Sequence, residues 1–504
     1  MYLKKVLLFL LLLPPVTAWA QFQGSERPAG DSTLVLSLDD ALRIALSENT
    51  SVKVADMEVR RQEYARKGSY ASLLPQVSGS GSYQRTIKKQ VMYMGGGSSS
   101  DSEEGSSGGG MASMYSSMLD PIYYYLEQLM AQHPGAITPY VPAPAESTSS
   151  SSGGIEVGRT NTWSAGISAS MPLVNAQLWK SVSISGDQVE LAVEQARESR
   201  LGTVTAVKQA YYAVLLAKDA FEVYKVVYEN AVENFRQTER QYNVQKASEL
   251  DMARAKSNVA AAVPNVYNAE SGILLALWQL KAVMGIDLDR DIDVEGKLED
   301  YAQTMFRDWN EGSEASLEGN SSLRQLDMQA SQLAKTIRMQ QYAYLPSLNL
   351  SFAYSYNAMT DDFKFSEYRW TPYSYVGLSL SIPIFSGGQR HYAIKQTRVQ
   401  ADELALQREN TERQLRIGIQ QSLQTMETAM KTYDAARDAV GTAQKAYDIA
   451  AKSYLVGRST LTDLNNTELT LTQTRLQAAQ AVYNFVVAKA SLEQTLGYDF
   501  TAED

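Results

Sequence analysis

The sequence predicts a mostly α-helical chain with a smaller membrane β-barrel portion, and three observations point to this fold class. The chain is internally duplicated, and each copy contains a very long Ala-, Glu- and Gln-rich stretch without proline. In front of each long stretch, apolar residues alternate with small or polar ones. Long uninterrupted helices are uncommon in globular domains, whereas alternating runs suit the strands of a membrane barrel.

The N-terminal segment, residues 1–20, has the composition of a secretory signal peptide. Lys4 and Lys5 precede an apolar run, and Ala18-Trp19-Ala20 forms a small-residue cleavage site. The rest of the chain has no run near the roughly 18–20 apolar residues that a membrane-spanning helix needs. If the mature chain enters a membrane, we therefore expect a closed barrel, in which every backbone polar group is paired.

Composition excludes several classes of function. The formal net charge of −10 disfavours nucleic acid as a partner. The chain has no cysteine and only two histidines, His133 and His391. Disulfides and thiolate metal sites are thereby excluded, and we expect neither a metal nor a cofactor.

The duplication divides the chain into two repeats. The segment from Asn49 to Val77 matches the segment from Asn320 to Leu348 without a gap, and later matches occur at a shorter offset. The change of offset locates a Gly- and Ser-rich insertion, expected to be a flexible loop, within the first copy. The expected units are a first repeat over 21–287 with the insertion at about 92–158, an inter-repeat linker over 288–319 and a second repeat over 320–504.

Period-two alternation predicts four strands, two in each repeat. They cover Val77–Tyr83, Trp163–Met171, Leu348–Tyr356 and Val376–Ile382. Three of them place apolar side chains on one face and small or polar side chains on the other, as barrel strands do. In Val77–Tyr83 the pattern is weaker, because this strand is rich in glycine and serine. Four strands are too few to close a barrel, for which roughly eight are needed, so the fold requires several copies of the chain.

The remaining sequence predicts helices of two lengths. Long helices are expected after Gly186 and after Gly388, each on the order of 80–100 Å at 1.5 Å per residue. The shorter helices are expected at Leu38–Tyr70, Glu249–Met284, Ser321–Tyr344 and Leu461–Leu496. Because each shorter helix has about half the length of a long one, two of them stacked end to end would match it.

Both long helices carry seven-residue repeats. Large residues recur at heptad spacing from Val207 to Tyr242 and again from Ile419 to Tyr454. A second stripe, of alanine, runs from Ala429 to Ala450. Heptads indicate that a helix packs on a neighbour along a left-handed supercoiled seam. A helix with two seams packs on two neighbours, which indicates a coiled-coil α-barrel, a closed ring of helices.

The order of these motifs resembles that of the TolC-type outer-membrane efflux family over essentially the whole mature chain. The resemblance rests on a series that occurs twice: a Leu-Pro strand start, a strand ending at 171–174 or 382–388, a long helix, a turn at 242–251 or 454–464, and a Gly at 285 or 497. It implies a homotrimer whose twelve strands form an outer-membrane barrel, surrounded by lipid, and whose twelve helical columns form a periplasmic tunnel.

The same resemblance implies how the trimer works. It would be a passive exit duct and not an enzyme, docked onto a periplasmic adaptor protein and an inner-membrane pump that supplies the energy. On the family's topology, the loops Met92–Gly158 and Asn357–Thr371 would be extracellular.

Two turns reverse the chain at the expected periplasmic end of the helices. In the second turn, Gly457 occupies a helix C-cap position and Thr460 a helix N-cap position. In the first turn, Gln245 replaces that glycine. Because a non-glycine residue in a left-handed conformation carries a steric cost, we expect the first turn to differ in shape.

Asp251 and Asp463 belong to these turns and have two interpretations. The resemblance implies that acidic residues here ring the narrow periplasmic aperture, where they would attract cations and repel anions. The spacings Ser-x-x-Asp and Thr-x-x-Asp equally predict a capping box, with Asp favoured near a helix N-terminus. The sequence leaves both interpretations open.

The family's gate residues carry over only in part. Tyr454 matches the gate tyrosine, although it also ends the heptad row and fits a packing role. The gate arginine aligns with Ser459, Arg458 lies one residue earlier, and a second acidic position aligns with Asn466. The residues expected to contact the adaptor are Lys246, Val456 and Gly457, together with Arg458.

Other functions remain as alternatives. A surface trimeric coiled-coil protein with a structural or adhesive role would explain the heptads but not the strands or the duplication. A carboxylate-pair hydrolase would have only acids such as Glu249 and Asp251, without a pocket signal around them. Within the channel interpretation, the sequence does not separate drug efflux from type I protein secretion.

Overall fold

The computed structural model describes residues 34–92, 155–313 and 316–499. The chain divides into a helical unit, formed by Met1–Ser72, Asn175–Pro346 and Ile382–Asp504, and a sheet unit, formed by Leu73–Val174 and Ser347–Ser381. No described helix is both long enough and apolar enough to span a membrane. The expected signal peptide and most of the expected insertion lie outside the described residues.

Long helices dominate the described part of the helical unit. The helices are α1 (Leu38–Glu48), α2 (Thr50–Ala71), α3 (Ala176–Asn243), α4 (Glu249–Met284), α5 (Met305–Ser313), α6 (Ser321–Tyr342), α7 (Gln389–Leu455) and α8 (Leu461–Leu496). With 68 and 67 residues, α3 and α7 each extend about 100 Å. The prediction of two long helices, each accompanied by shorter ones, is confirmed.

Two helix boundaries differ from the sequence prediction. The first long helix begins at Ala176, because the Asn175 side chain accepts a hydrogen bond from the Leu178 amide at 3.1 Å and caps the helix there. Gly186, the expected start, lies inside the helix. The helix expected as one piece over Leu38–Tyr70 is instead divided into α1 and α2 at Asn49.

Asn49 divides the helix because its side chain has partners on two elements. Its Oδ1 accepts a hydrogen bond from the Ser51 amide at 2.7 Å, and its Nδ2 donates to the Val283 carbonyl oxygen at 2.6 Å. Asn320 does the same in the second repeat, capping α6 and donating to the Thr495 carbonyl oxygen at 2.7 Å. Each asparagine therefore ties one helix to the end of α4 or α8.

The duplicated glycines Gly285 and Gly497 end α4 and α8 beside these asparagines. Both have a left-handed backbone, with φ of +74° and +75°. A Cβ atom would lie 2.8 Å from the Glu48 carbonyl oxygen in the first case and 2.1 Å from the Gly319 carbonyl oxygen in the second. Glycine is therefore required at both positions, for its backbone freedom and for its lack of a side chain.

The heptad residues pack most tightly in the middle of the long helices. Val207 and Val214 of α3 and Met426 of α7 are fully buried. The alanine stripe of α7 is buried as well, at Ala429, Ala436 and Ala443. Helix α3 packs chiefly on α4 and α7 chiefly on α8, all within one chain.

The segment expected as a linker over 288–319 is structured in its described part. Its strand β6 (Ile292–Val294) pairs in parallel with β1 (Leu34–Leu36), and 3₁₀ turns at Leu298–Gln303 and Leu317–Gly319 flank α5. Leu298 is buried in the main helical core. Neither strand was predicted from the sequence, because three residues are too few to show an alternation.

Four antiparallel strands form the sheet of the second unit, in the order β2 (Gln76–Arg85), β5 (Asn161–Val174), β7 (Ser347–Thr360) and β8 (Thr371–Ser381). The register places the alternating residues of neighbouring strands in rows, and successive rows lie on opposite faces of the sheet. One row is Val77, Ala169, Phe352 and Val376, and the next is Ser78, Ser168, Ala353 and Tyr375. One face is therefore apolar and the other is rich in serine and glycine, as predicted.

The strand limits differ from the prediction near the loops. Strand β7 continues to Thr360, so Asn357, the expected start of a loop, lies inside the strand. Strand β8 ends at Ser381, before Ile382. Strand β3 (Gln90–Met92) pairs with β4 (Ile155–Val157). Residues at both ends of the loop expected over 92–158 therefore belong to strands.

Candidate functional site

The first candidate turn joins α3 to α4 through a left-handed residue. Gln245 has a φ of +60° and is the one non-glycine residue with positive φ in the described part of the chain. Its amide donates to the Tyr242 carbonyl oxygen at 2.9 Å, and the Lys246 amide donates to the Gln241 carbonyl oxygen at 2.8 Å. Such a pair of bonds closes a helix C-terminus. Ser248 then caps α4.

The second turn, between α7 and α8, has the same geometry. Gly457 has a φ of +73°. Its amide donates to the Tyr454 carbonyl oxygen at 3.0 Å, and the Arg458 amide donates to the Ser453 carbonyl oxygen at 2.8 Å. The expectation that Gln245 alters the first turn is therefore wrong. Gln245 adopts the glycine-like conformation at a cost of roughly 1–2 kcal/mol, because the packed helices fix where the chain must reverse.

Asp251 and Asp463 each complete a capping box. The Ser248 hydroxyl donates to Asp251 Oδ2 at 2.7 Å and accepts from the Asp251 amide at 3.1 Å. The Thr460 hydroxyl donates to Asp463 Oδ2 at 2.6 Å and accepts from the Asp463 amide at 3.1 Å. The pKa of Asp463 is lowered mainly by the hydrogen bond from the Thr460 hydroxyl and next by the hydrogen bond from the Thr460 amide. Its carboxylate is exposed and stays charged.

Tyr454 lies where the two hairpins pack together near their turns. Its ring is buried among Ala255, Leu461 and Leu464. Its hydroxyl forms a 2.6 Å hydrogen bond with the hydroxyl of Thr238 on α3. Tyr454 therefore ties α7 to α3 within one chain. Its counterpart in the first repeat, Tyr242, is partly exposed.

The residues expected to contact an adaptor are exposed at the turns. Lys246, Val456, Gly457 and Arg458 all present accessible surface. Neither Lys246 nor Arg458 forms an ion pair with any described residue. Three apolar side chains beside them are also exposed and were not singled out from the sequence: Val244, Leu250 and Leu455.

A groove of about 280 Å³ lies between α3, α4 and α8, in the parts of these helices that are close to the two turns. It contains a buried carboxyl group. Glu468 is 8 % exposed, and its Oε1 has no hydrogen-bond partner among the described residues. Burial raises the pKa of Glu468, and a contact with the Asn230 side chain offsets part of this effect. Glu468 was not singled out from the sequence, although the spacing Leu461, Leu464, Glu468, Leu471 places it on the buried face of α8.

The two acids of the hydrolase alternative, Glu249 and Asp251, lie at the start of α4. Glu249 is exposed, and the Asp251 carboxylate is bonded to Ser248. No group of three or more His, Cys, Asp or Glu side chains within residues 34–92, 155–313 and 316–499 is arranged to hold a metal ion.

Comparison with known proteins identifies relatives of this fold. The family model described as "Outer membrane efflux protein" matches residues 139–286 and 313–498. Outer membrane protein TolC of Escherichia coli (strain K12) is 22% identical over 354 residues, which is 67% of this chain and 70% of that protein. TolC of Vibrio cholerae serotype O1 is 21% identical over 66% of this chain and 76% of its own length.

Two solved structures illustrate the likeness of fold. The Campylobacter jejuni CmeC outer membrane channel superposes with a TM-score of 0.63 at 17% identity, covering 93% of this chain and 87% of that one. The open state of the Neisseria gonorrhoeae MtrE outer membrane channel gives a TM-score of 0.63 at 16% identity, covering 91% and 88%.

Proposed function

The chain belongs to the outer membrane efflux protein family, and from this premise we propose that three copies form a channel through the outer membrane that continues as a helical tunnel in the periplasm. The matched residues make up more than half of the chain. The protein is accordingly an outer-membrane transport protein and not an enzyme. The observation that carries the proposal is the four-stranded sheet with one apolar face and two edge strands.

The sheet requires partners if it is to lie in lipid. Its edge strands β2 and β8 expose unpaired backbone groups, which are costly in a bilayer. On β8 the apolar side chains Val376, Leu378 and Leu380 are 72%, 66% and 60% exposed. Three copies supply twelve strands, and pairing of β8 in one copy with β2 in the next closes the barrel. The apolar face then meets lipid and the serine-rich face lines the pore.

The helical unit also offers surfaces for neighbouring copies. Along α2 the side chains of Val54, Met57 and Tyr64 are each more than half exposed. Apolar side chains in such number on one helix suit a helix–helix seam better than contact with water. Three sets of α3, α7 and their shorter partners form the proposed tunnel wall.

The turns at the end of α3 and α7 form the proposed periplasmic aperture. Asp251 and Asp463 serve as capping residues and, in the trimer, as a ring of negative charge. Tyr454, bonded to Thr238, holds the resting state closed, and opening separates α7 from α3. Arg458 is exposed in the turn that follows α7.

The exposed turn residues form the proposed docking surface for a periplasmic adaptor, which links the duct to an inner-membrane pump. Lys246 and Arg458 provide free cations, and Val456 provides an apolar contact 69% exposed. The transported cargo is either a drug or a protein secreted by a type I system. A deletion strain separates these: increased drug susceptibility indicates efflux, and unchanged susceptibility with loss of a secreted protein indicates secretion.

The main test is the assembly and conductance of the purified full-length protein. We expect a trimeric mass in detergent and stable conductance steps in planar bilayers. A monomeric protein that forms no pores would refute the proposal. A trimer without pores would instead favour the alternative of a surface coiled-coil protein, which accounts for the helices but not for the sheet.

A matched pair of variants tests the aperture. Asp463→Asn removes the charge and keeps the Thr460 cap, whereas Thr460→Ala removes the cap and keeps the charge. If Asp463 lines the aperture, Asp463→Asn lowers the preference for cations and Thr460→Ala leaves it unchanged. If both variants and the wild type show the same preference for cations, Asp463 acts only as a capping residue.

A further inference from the structure

At one end of the sheet, the loop residues 361–370 fold back over the apolar face. Arg85, Asn161 and Thr360 align in one row at this end, which we call the loop end. The aromatic cluster at the loop end consists of Tyr83, Trp163, Phe363, Phe365 and Tyr368. Tyr83 and Trp163 are cross-strand neighbours on the apolar face, with ring centroids 4.3 Å apart. The Phe365 ring packs edge-on against Trp163 at 4.8 Å.

Polar contacts fix this loop in place. Asp361 accepts hydrogen bonds from the Thr160 amide and hydroxyl, both at 2.8 Å, and lies 3.1 Å from Lys89 Nζ. The bonds from Thr160 are the main reason that the pKa of Asp361 falls to about 2. The Asp362 carbonyl oxygen accepts from the Tyr368 hydroxyl at 2.7 Å. The loop is therefore a preformed surface.

In its described part, the loop end carries more basic than acidic residues, although the whole chain has a net charge of −10. Its described basic residues are Arg85, Lys88, Lys89, Arg159, Lys364 and Arg369, and its described acidic residues are Glu156, Asp361, Asp362 and Glu367. Lys89 and Arg159 are paired with Asp361. The other four basic residues, which we call the free basic set, are exposed and form no ion pair within the described part of the chain.

We infer that the loop end binds the phosphate groups of anionic lipid headgroups. Arg85 lies two residues beyond Tyr83 on the same strand and so projects from the apolar face, and Lys364 lies between Phe363 and Phe365. Aromatic rings at the edge of an apolar face mark the boundary between hydrocarbon and headgroups. Cations placed there meet phosphates and not the hydrocarbon. The inference rests on the proposed function, because it requires the apolar face to meet lipid.

The test measures lipid bound to the full-length protein in detergent. The lipid probes are phosphatidylglycerol, which is anionic, and phosphatidylcholine, which is zwitterionic, and bound molecules are counted by native mass spectrometry. We expect the wild type to prefer phosphatidylglycerol. We expect replacement of the free basic set by glutamine, in a variant carrying R85Q, K88Q, K364Q and R369Q, to weaken its binding at least about tenfold. Binding of phosphatidylcholine should change little.

A control variant removes the same number of positive charges from exposed positions of the helical unit: R60Q, R254Q, K256Q and K445Q. It should keep the wild-type preference. An equal loss in both variants would overturn the inference in favour of net charge, and full competition by millimolar inorganic phosphate would overturn it in favour of a free phosphate site. Trimer mass and conductance are measured on the same sample. A conducting trimer without lipid preference refutes only this inference, whereas a non-conducting monomer refutes the proposed function.

Discussion

Replacing Glu468 by glutamine is expected to stabilise the folded protein at neutral and alkaline pH and to leave it unchanged near pH 4. The carboxyl group is buried between α3, α4 and α8, and its Oε1 has no hydrogen-bond partner among the described residues. Glutamine has nearly the same shape and carries no charge, so the groove keeps its packing while the cost of a buried carboxylate disappears.

The sign of the effect follows from the raised pKa of Glu468. Below its ordinary value of 4.5 the residue is protonated in the folded and in the unfolded chain, so the variant and the wild type are equal. Above that value the unfolded chain loses the proton first. The free energy of unfolding of the wild type then falls until the pH exceeds the raised pKa. Each pH unit by which the pKa is raised corresponds to about 1.4 kcal/mol, and the difference per subunit at pH 8 should be on that scale.

The assay is guanidinium unfolding of the detergent-solubilised protein at several pH values from 4 to 8, followed by circular dichroism. Glu239→Gln, which changes an exposed glutamate on α3, is the control and should follow the wild type throughout. If Glu468→Gln and the wild type differ by the same free energy of unfolding at every pH, the pKa of Glu468 is not raised in the folded protein. If the variant is less stable at pH 8, the contact with the Asn230 side chain outweighs the cost of burying the charge.

Three further predictions concern the helix ends. Gly497→Ala should sharply reduce the yield of folded protein, because its Cβ would lie 2.1 Å from a backbone oxygen; normal yield and thermal stability would contradict this. Gln245→Gly should stabilise the first turn by up to about 1 kcal/mol, and Gly457→Ala should destabilise the second turn by about 1 kcal/mol. Both effects are measured as shifts of the denaturant midpoint. Shifts in the same direction would contradict a left-handed backbone at both positions. Tyr454→Phe and Thr238→Val should be coupled by about 0.5–1.5 kcal/mol in a double-mutant cycle; additive effects would show that the hydrogen bond contributes nothing.

The sequence was informative wherever a structural feature depends on residues close together in the chain. Heptads predicted the long helices, and the Ser-x-x-Asp and Thr-x-x-Asp spacings predicted the caps at Asp251 and Asp463. Alternation predicted the four strands and their two faces. The duplication strengthened each of these predictions, because every motif could be compared with a second copy. It even paired Asn49 with Asn320, although it did not show what either residue does.

Contacts between distant segments were decided by the tertiary structure. Asn49 divides a helix because Val283, far along the chain, offers a carbonyl oxygen to its amide group. Gln245 adopts a backbone conformation typical of glycine because two packed helices impose the reversal. Glu468 is buried because α3 and α4 cover that side of α8.

By itself, then, the sequence determined the repeated order of helices, strands and turns, since local periodicity and capping need only neighbouring residues. The tertiary structure decided which polar groups are satisfied and which are buried without partners. The physical reason is that hydrogen bonding and desolvation depend on every chain segment that surrounds a group, and no local pattern records those segments.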